Sequence, residues 1–377
     1  MAKLQLFSPK FRVDECLEEI RECLEKGWTG IGFKTVEIEE AWKKYTGLNN
    51  AHFVNSATSG LHLAFKILKD EFKWTDKSEI ISTPLTFIST NHAIKYENLH
   101  ITFADVDKYL CIDPVDIEKK INKNTKAVVF VGIGGNTGKL EKVAKLCKKH
   151  KLKLIIDAAH MAGTRLNGEI AGKDLADVIV YSFQAVKNLP TADSGMICFK
   201  DEKFDKKARK LTWLGINKDT FSRSSSKGAY KWKYDVEELG FKYHGNSVIA
   251  ALGLVQLKYL DVDNAYRRQI ATWYDELFAD VRKIKTIQIP DGCESSRHAF
   301  MIRVNNRDEL LLALNECEIY PGVHYRDNTE YDMYSYAQGT CPKANEASNQ
   351  LLSLPLHLRL TRQDIEYIAQ QVIAYAK

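Results

Sequence analysis

Four stretches of this 377-residue chain place chemically capable side chains directly after short apolar runs. In open α/β sheets that is where strand ends open onto ligand sites. LKLIID ends on Asp157, with His160 in the turn that follows. YSFQAVKNLP carries Ser182 and Lys187, NSATSG carries Thr58 and Ser59, and STPLTFIST carries Phe87. A lysine set beside Phe183, Ala185 and Val186 can lose hydration, which lowers its pKa toward that of a nucleophilic amine. A strand-end carboxylate can keep a ring nitrogen protonated, and an aromatic face can stack on a planar ring. Hydroxyls and open N–H groups at a helix start can hold a phosphate dianion. Each stretch taken alone also has a plain structural reading: Ser and Thr cap helices, Asp157 can cap a turn, Lys187 can be a solvated charge and Phe87 a core aromatic.

The elements that must position these residues follow from pattern. Val36, Ile38, Ala41, Trp42 and Tyr45 recur at helical spacing, and Gly47 supplies a stop. AHFVNSATSG reads as a strand or turn feeding a helix that carries Leu61, Ala64, Phe65 and Leu68 on one face. EIIST (79–83), ITFADVD (101–107) and KAVVFVGIGG (126–135) are short and β-rich, with room between them for crossover helices, so they read as parallel strands. KLKLIID, DVIVYSF (177–183) and GMICF (195–199) add three more. The expected fold class is α/β: a mostly parallel, mixed sheet between helices over roughly the first 200 residues. Beyond about residue 240 the pattern changes to the largely apolar SVIAALGLVQLKYL and a smaller α+β unit. That unit closes on a helix begun by a Thr361–Asp364 capping box. The expected division is a large domain, 1–240, and a small C-terminal domain, 241–377.

Composition removes several function classes. Hydrophobic residues make up 45% and charged residues 27%, ordinary for a globular protein. The surplus of 54 basic over 49 acidic residues is spread along the chain, and the lysines of 139–153 alternate with Val143, Ala144 and Leu146 as on the wet face of a helix. A nucleic-acid partner is therefore not expected. The eight cysteines form no CxxC pair and no ligand spacing with histidine, so neither a metal site nor a disulfide framework is expected. MAKLQLFSPKFRVDE lacks a signal-peptide core, and no run approaches about 18 apolar residues, which places the expected chain in the cytoplasm with no membrane partner.

Together, the four stretches supply what pyridoxal 5'-phosphate (PLP) requires: an amine for its aldehyde, a carboxylate for its ring nitrogen, a helix start for its phosphate and an aromatic for its ring face. The sequence resembles the DegT/DnrJ/StrS family of nucleotide-sugar aminotransferases, PLP enzymes of the aspartate aminotransferase fold (fold type I), over nearly its whole length. NSATSGLHLAF is similar to that family's phosphate-binding segment and TPLTFISTNHAI to its ring-stacking segment. FADVDKYLCIDP is similar to the strand that follows, IIDAAHMAG to the Asp-Ala-Ala-Gln/His motif, and SFQAVKNL to the motif ending at the Schiff-base lysine. CPKANEASNQLLSLPLHLRLT follows the closing signature.

The resemblance implies that Lys187 forms the Schiff base and shuttles the proton, and that Asp157 pairs with the ring nitrogen. It implies that His160 lies by the ring oxygen or face, Phe87 stacks on the ring, and Thr58, Ser59 and Ser182 hold the phosphate. It also implies a homodimer with shared sites, in which His244 or Asn246 of GFKYHGNS reaches the neighbouring phosphate, and a His324–Tyr325 pair at the substrate mouth. The implied reaction is amino transfer from glutamate to a keto-sugar, a nucleotide-linked keto-deoxy hexose. Alternatives are a dehydratase of the same family, an aminotransferase for a smaller phosphorylated ketone, or a non-catalytic regulatory or binding protein. Lys187 argues against the dehydratase, which typically carries His in its place, and Lys187 with Asp157 argues against the non-catalytic reading. Several positions depart from the family pattern. Gly132 stands where His is frequent, Ala192-Asp193-Ser194-Gly195 replaces Gly-Glu-Gly-Gly, and HGN stands where Arg/Asn-Met/Leu is common. RDNTEYDMY replaces Pro-Leu-His after Tyr325. These changes bear on the substrate and the subunit-bridging residue rather than on the ring and phosphate contacts.

Overall fold

Seven strands form the central sheet of the computed structural model, which describes residues 3–216 and 234–377. Their spatial order is His52–Val54, Gly195–Phe199, Val178–Ser182, Lys153–Asp157, Thr125–Val131, Glu79–Ser82, His100–Phe103. Gly195–Phe199 runs antiparallel to both of its neighbours, and the other pairings are parallel. The α/β class and the mixed, mostly parallel sheet read from the sequence are therefore observed. Val128, Val129, Ile155, Ile156, Val178 and Val180 are buried, as strands covered on both faces by helices must be.

Two helices read from apolar spacing, Phe33–Thr46 and Ala57–Glu71, pack on the sheet. Phe33–Thr46 buries Ile38 and Trp42, and Trp42 meets Tyr181 and Phe183 edge-on at ring separations of 4.9 and 5.0 Å. Gly47 ends it in the left-handed region (φ 68°), where a Cβ would be strained. Ala57–Glu71 starts at Ser56, whose side chain accepts from the Ser59 N–H. Its first turn presses tightly on the sheet: a Cβ on Gly195 would lie 2.8 Å from the Ala57 nitrogen. Only glycine allows that approach, and it brings the helix start to the sheet's carboxyl edge.

Ser247–Phe278 spans both parts of the molecule. Within the apolar stretch 247–260 every residue but Lys258 is buried or half-buried, as a buried or interface helix requires, and exposure returns at Asp261 and Val262. Its later residues Ile270, Tyr274 and Phe278 enter a second core with Phe300, Ile302, Leu310, Leu352, Ile365 and Val372. A three-stranded sheet (Lys285–Thr286, Phe300–Arg303, Leu351–Leu354) and the closing helix Arg362–Tyr375 build that core. The Thr361–Asp364 capping box is formed. Leu4–Gln5 pairs in parallel with Ile319–Tyr320, so the N-terminal segment joins this second part of the fold. All eight cysteines are free thiols, and six of them are buried. Among the described residues no helix is long and apolar enough to cross a membrane, and no cluster of His, Cys, Asp and Glu could hold a metal.

Candidate active site

Parallel strands end together, so residues far apart in sequence meet where the strands stop. Val131, Asp157 and Ser182 are the last residues of three neighbouring strands, and all three line one cavity of about 420 Å³. The start of the Ala57–Glu71 helix contributes Ser56, Ala57 and Thr58 to its wall. Phe87, His160, Lys187, His324 and Tyr325 complete the residues singled out from sequence that reach it. Ser59, His244 and Asn246 are not among its lining residues. The Ser59 hydroxyl lies 2.7 Å from both Asn55 Oδ1 and the Ser56 carbonyl, and its one proton is taken up between these two acceptors. Asn246 caps the Ser247–Phe278 helix by accepting from the Ile249 N–H. His244 pairs by its backbone with Val54 and packs edge-on against Trp213.

The electrostatics match a site for an amine and an acid. Lys187 is half-buried, and desolvation lowers its pKa to about 8 although Asp157 pulls it upward. Asp157 is buried. Burial raises its pKa, while Thr90, the Ala159 N–H and Lys187 act the other way. Thr90 Oγ1 donates to one carboxylate oxygen at 2.6 Å and the Ala159 N–H to the other at 3.1 Å. His160 is kept neutral by burial, with its pKa well below the ordinary value. Its Nδ1 accepts from the Gly134 N–H at 3.1 Å, so the ring proton sits on Nε2 and is donated to the Tyr325 hydroxyl at 3.0 Å. The Tyr325 proton is then available to a group in the cavity. Phe87, at the cap of the Ile88–Tyr96 helix, is 57% exposed and forms an open aromatic wall.

Three contributors had not been singled out in the sequence. His298 lines the cavity and stacks on His160 with 4.1 Å between ring centroids. Phe7 stacks on the far side of His298 at 4.9 Å, carried there by the N-terminal strand. Asn188 sets the state of His298. Its amide hydrogens go to Asn264 Oδ1 and the Ser296 carbonyl, both at 2.7 Å, and Asn264 is itself oriented by the Ala162 carbonyl at 2.9 Å. Asn188 Oδ1 is left facing His298 Nδ1 at 3.0 Å, so Nδ1 carries the proton and Nε2 an open lone pair. Asn188 could have been found as the neighbour of Lys187; Phe7 and His298 had no local signal.

The mouth segment that departs from the family pattern packs back onto the ring-stacking turn. Asn328 donates to the Thr86 carbonyl at 2.9 Å, and its Oδ1 accepts from Asn91 at 2.7 Å. Asn91 in turn accepts from Ser82 at 2.7 Å. The Asn328 N–H reaches the Pro84 carbonyl at 2.9 Å. RDNTEYDMY therefore ties the Phe87 turn to the Tyr325 wall.

An amine of lowered pKa, a buried hydrogen-bonded carboxylate, a helix start with hydroxyls, and an exposed aromatic in one cavity of this size fit PLP. Comparison with known proteins agrees. The chain is 31% identical over 347 residues to the UDP-4-amino-4,6-dideoxy-N-acetyl-beta-L-altrosamine transaminase of Campylobacter jejuni, covering 89% of this chain and 88% of the other. It is 32% identical to the spore coat polysaccharide biosynthesis protein SpsC of Bacillus subtilis, covering 95% and 93%. The structure of Helicobacter pylori PseC, described as an aminotransferase in pseudoaminic acid biosynthesis, superposes with a TM-score of 0.91 at 28% identity over 99% of each chain. A model of the DegT/DnrJ/EryC1/StrS aminotransferases matches residues 12–373, and the chain belongs to that family of PLP-dependent transaminases.

Proposed function

We propose that this protein transfers an amino group from glutamate to a keto-sugar, a nucleotide-linked keto-deoxy hexose, in the assembly of a surface polysaccharide. The single observation that carries the proposal is the shared cavity of Lys187 and Asp157, an amine shifted to about 8 and a carboxylate held by two donors. PLP, when bound, supplies an electron sink for charge developing at the substrate carbon. Lys187 would be the amine that meets its aldehyde and the group that carries a proton to and from the reacting carbon. Asp157 would hold the proton on the ring nitrogen, Phe87 would cover one ring face, and His160, its proton already given to Tyr325, would lie beside the ring. Thr58 and Ser182 hold the phosphate directly. Ser59 supports it through the cap, since its hydroxyl is already engaged by Asn55 and Ser56. His324 and Tyr325 receive the substrate.

A homodimer in the cytoplasm, sharing its sites through His244 or Asn246, belongs to the same proposal. So does the division into domains 1–240 and 241–377, which the second core beginning at Ile270 supports. The names of the transaminase, SpsC and PseC relatives support the sugar substrate. The test is a panel of nucleotide-linked 3-keto and 4-keto hexoses with glutamate, scored for amino-sugar and 2-oxoglutarate. Stoichiometric formation of both on at least one sugar is expected. Turnover only with small phosphorylated ketones would replace the sugar assignment.

A further inference from the structure

The turn that presents Phe87 to the cavity carries a second polar group on its inner side, and its hydrogen bonds have a fixed direction. Thr90 is fully buried, and its hydroxyl lies 2.6 Å from Asp157 Oδ2. An ionised carboxylate only accepts, so the single Thr90 proton is committed to Asp157. Thr86 Oγ1 lies 2.9 Å from Thr90 Oγ1, and with that proton spent Thr86 must be the donor. A chain of two hydroxyls, Thr86 to Thr90 to Asp157, therefore ends on the carboxylate. The Thr86 carbonyl is in turn fastened by Asn328 at 2.9 Å.

We propose that Thr90 is a positioning residue for the transamination: its hydroxyl keeps Asp157 ionised and aimed, and Thr86 polarises it. The proposal rests on the assignment of Asp157 to the cofactor's ring nitrogen. Burial alone favours the neutral acid, which would leave Asp157 unable to retain a proton on its partner. Each donor to the anion opposes that tendency, and a hydrogen bond to a charged group is among the stronger kinds. The Ala159 N–H holds the other oxygen at 3.1 Å, so the two donors together fix the orientation of the carboxylate.

The test uses the full-length protein loaded with PLP, with Thr90→Val, which keeps shape and loses the hydroxyl, and Thr90→Ser, which restores it. For Thr90→Val, kcat is expected to fall about tenfold or more, with KM for glutamate little changed. The pH midpoint of the visible cofactor band is expected to move upward, because a less firmly protonated ring withdraws less charge. Thr90→Ser should return both toward wild type. Thr86→Val should shift the midpoint in the same direction by less, and it provides the test if Thr90→Val does not fold. Wild-type midpoint and kcat in folded Thr90→Val, or an unmoved midpoint in Thr86→Val where Thr90→Val does not fold, would overturn the proposal. Absence of any visible band in the wild-type protein would overturn instead the cofactor reading beneath it.

Discussion

Met161 fills the space that a side chain at position 132 would need: a Cβ on Gly132 would stand 1.9 Å from the Met161 sulfur. Gly132 follows the strand that ends at Val131, and its N–H donates to the Asp157 carbonyl at 3.1 Å. The glycine that departs from the family's frequent histidine is thus paired with a bulky neighbour beside the candidate acid. The site keeps its packing by exchanging volume between two positions.

That exchange predicts strong coupling. Gly132→Ala should cost about 1–3 kcal/mol through overpacking. Met161→Ala should cost about 2–5 kcal/mol through the cavity it leaves. The double variant should lose less than the sum, with a coupling of about 0.5–3 kcal/mol, because each change relieves the other. Urea unfolding of the four proteins checks this, and strict additivity would mean that the two positions do not compete.

Acid should destabilise the protein well before its carboxylates titrate. Burial holds His160 and His298 far below the ordinary histidine pKa and lowers His324 and His357 to about 4. Between those values and about 6.5 the unfolded chain binds more protons than the folded one, so unfolding free energy rises with pH over that window and falls on acidification. Melting temperature measured from pH 7 to pH 4.5 should drop steadily. His298→Gln should flatten the slope, and a flat wild-type profile would contradict buried neutral imidazoles.

Asn188 is expected to govern the protonation of His298. In Asn188→Asp, a carboxylate would face Nδ1 in place of the amide oxygen that now accepts at 3.0 Å, and an opposite charge favours imidazolium. The His298 pKa, followed by NMR of labelled histidine, should therefore rise. An unmoved value would show that Asn188 does not set the tautomer.

How much of this could be seen in the sequence depended on whether a signal was local. Asp157, Ser182 and Lys187 stand just past apolar runs, and Thr58 stands at a helix start, so local patterns marked them as candidates, and the structure brings all four to one cavity. The antiparallel direction of Gly195–Phe199 needed strand pairing across the sheet, which no local pattern carries. Phe7 and His298 come from opposite ends of the chain and meet only because Leu4–Gln5 docks on Ile319–Tyr320. Thr90 carried no signal of its own in the sequence, since only the folded turn shows its hydroxyl at Asp157. Ser59, although it belongs to the right motif, spends its hydroxyl on the motif's own geometry.

The central claim is that Lys187 is the amine of this site, poised by desolvation. With a pKa of about 8 it would be neutral in about one molecule in ten at pH 7, against about three in ten thousand for an ordinary lysine. The most direct measurement is borohydride reduction of the PLP-loaded protein across pH, followed by peptide mapping, with the cofactor-free protein titrated by an amine-selective reagent. One pyridoxyl group per chain on Lys187 is expected, with a labelling midpoint near 8 in the cofactor-free protein. A label on any other lysine, or a midpoint near the ordinary lysine value, would contradict it.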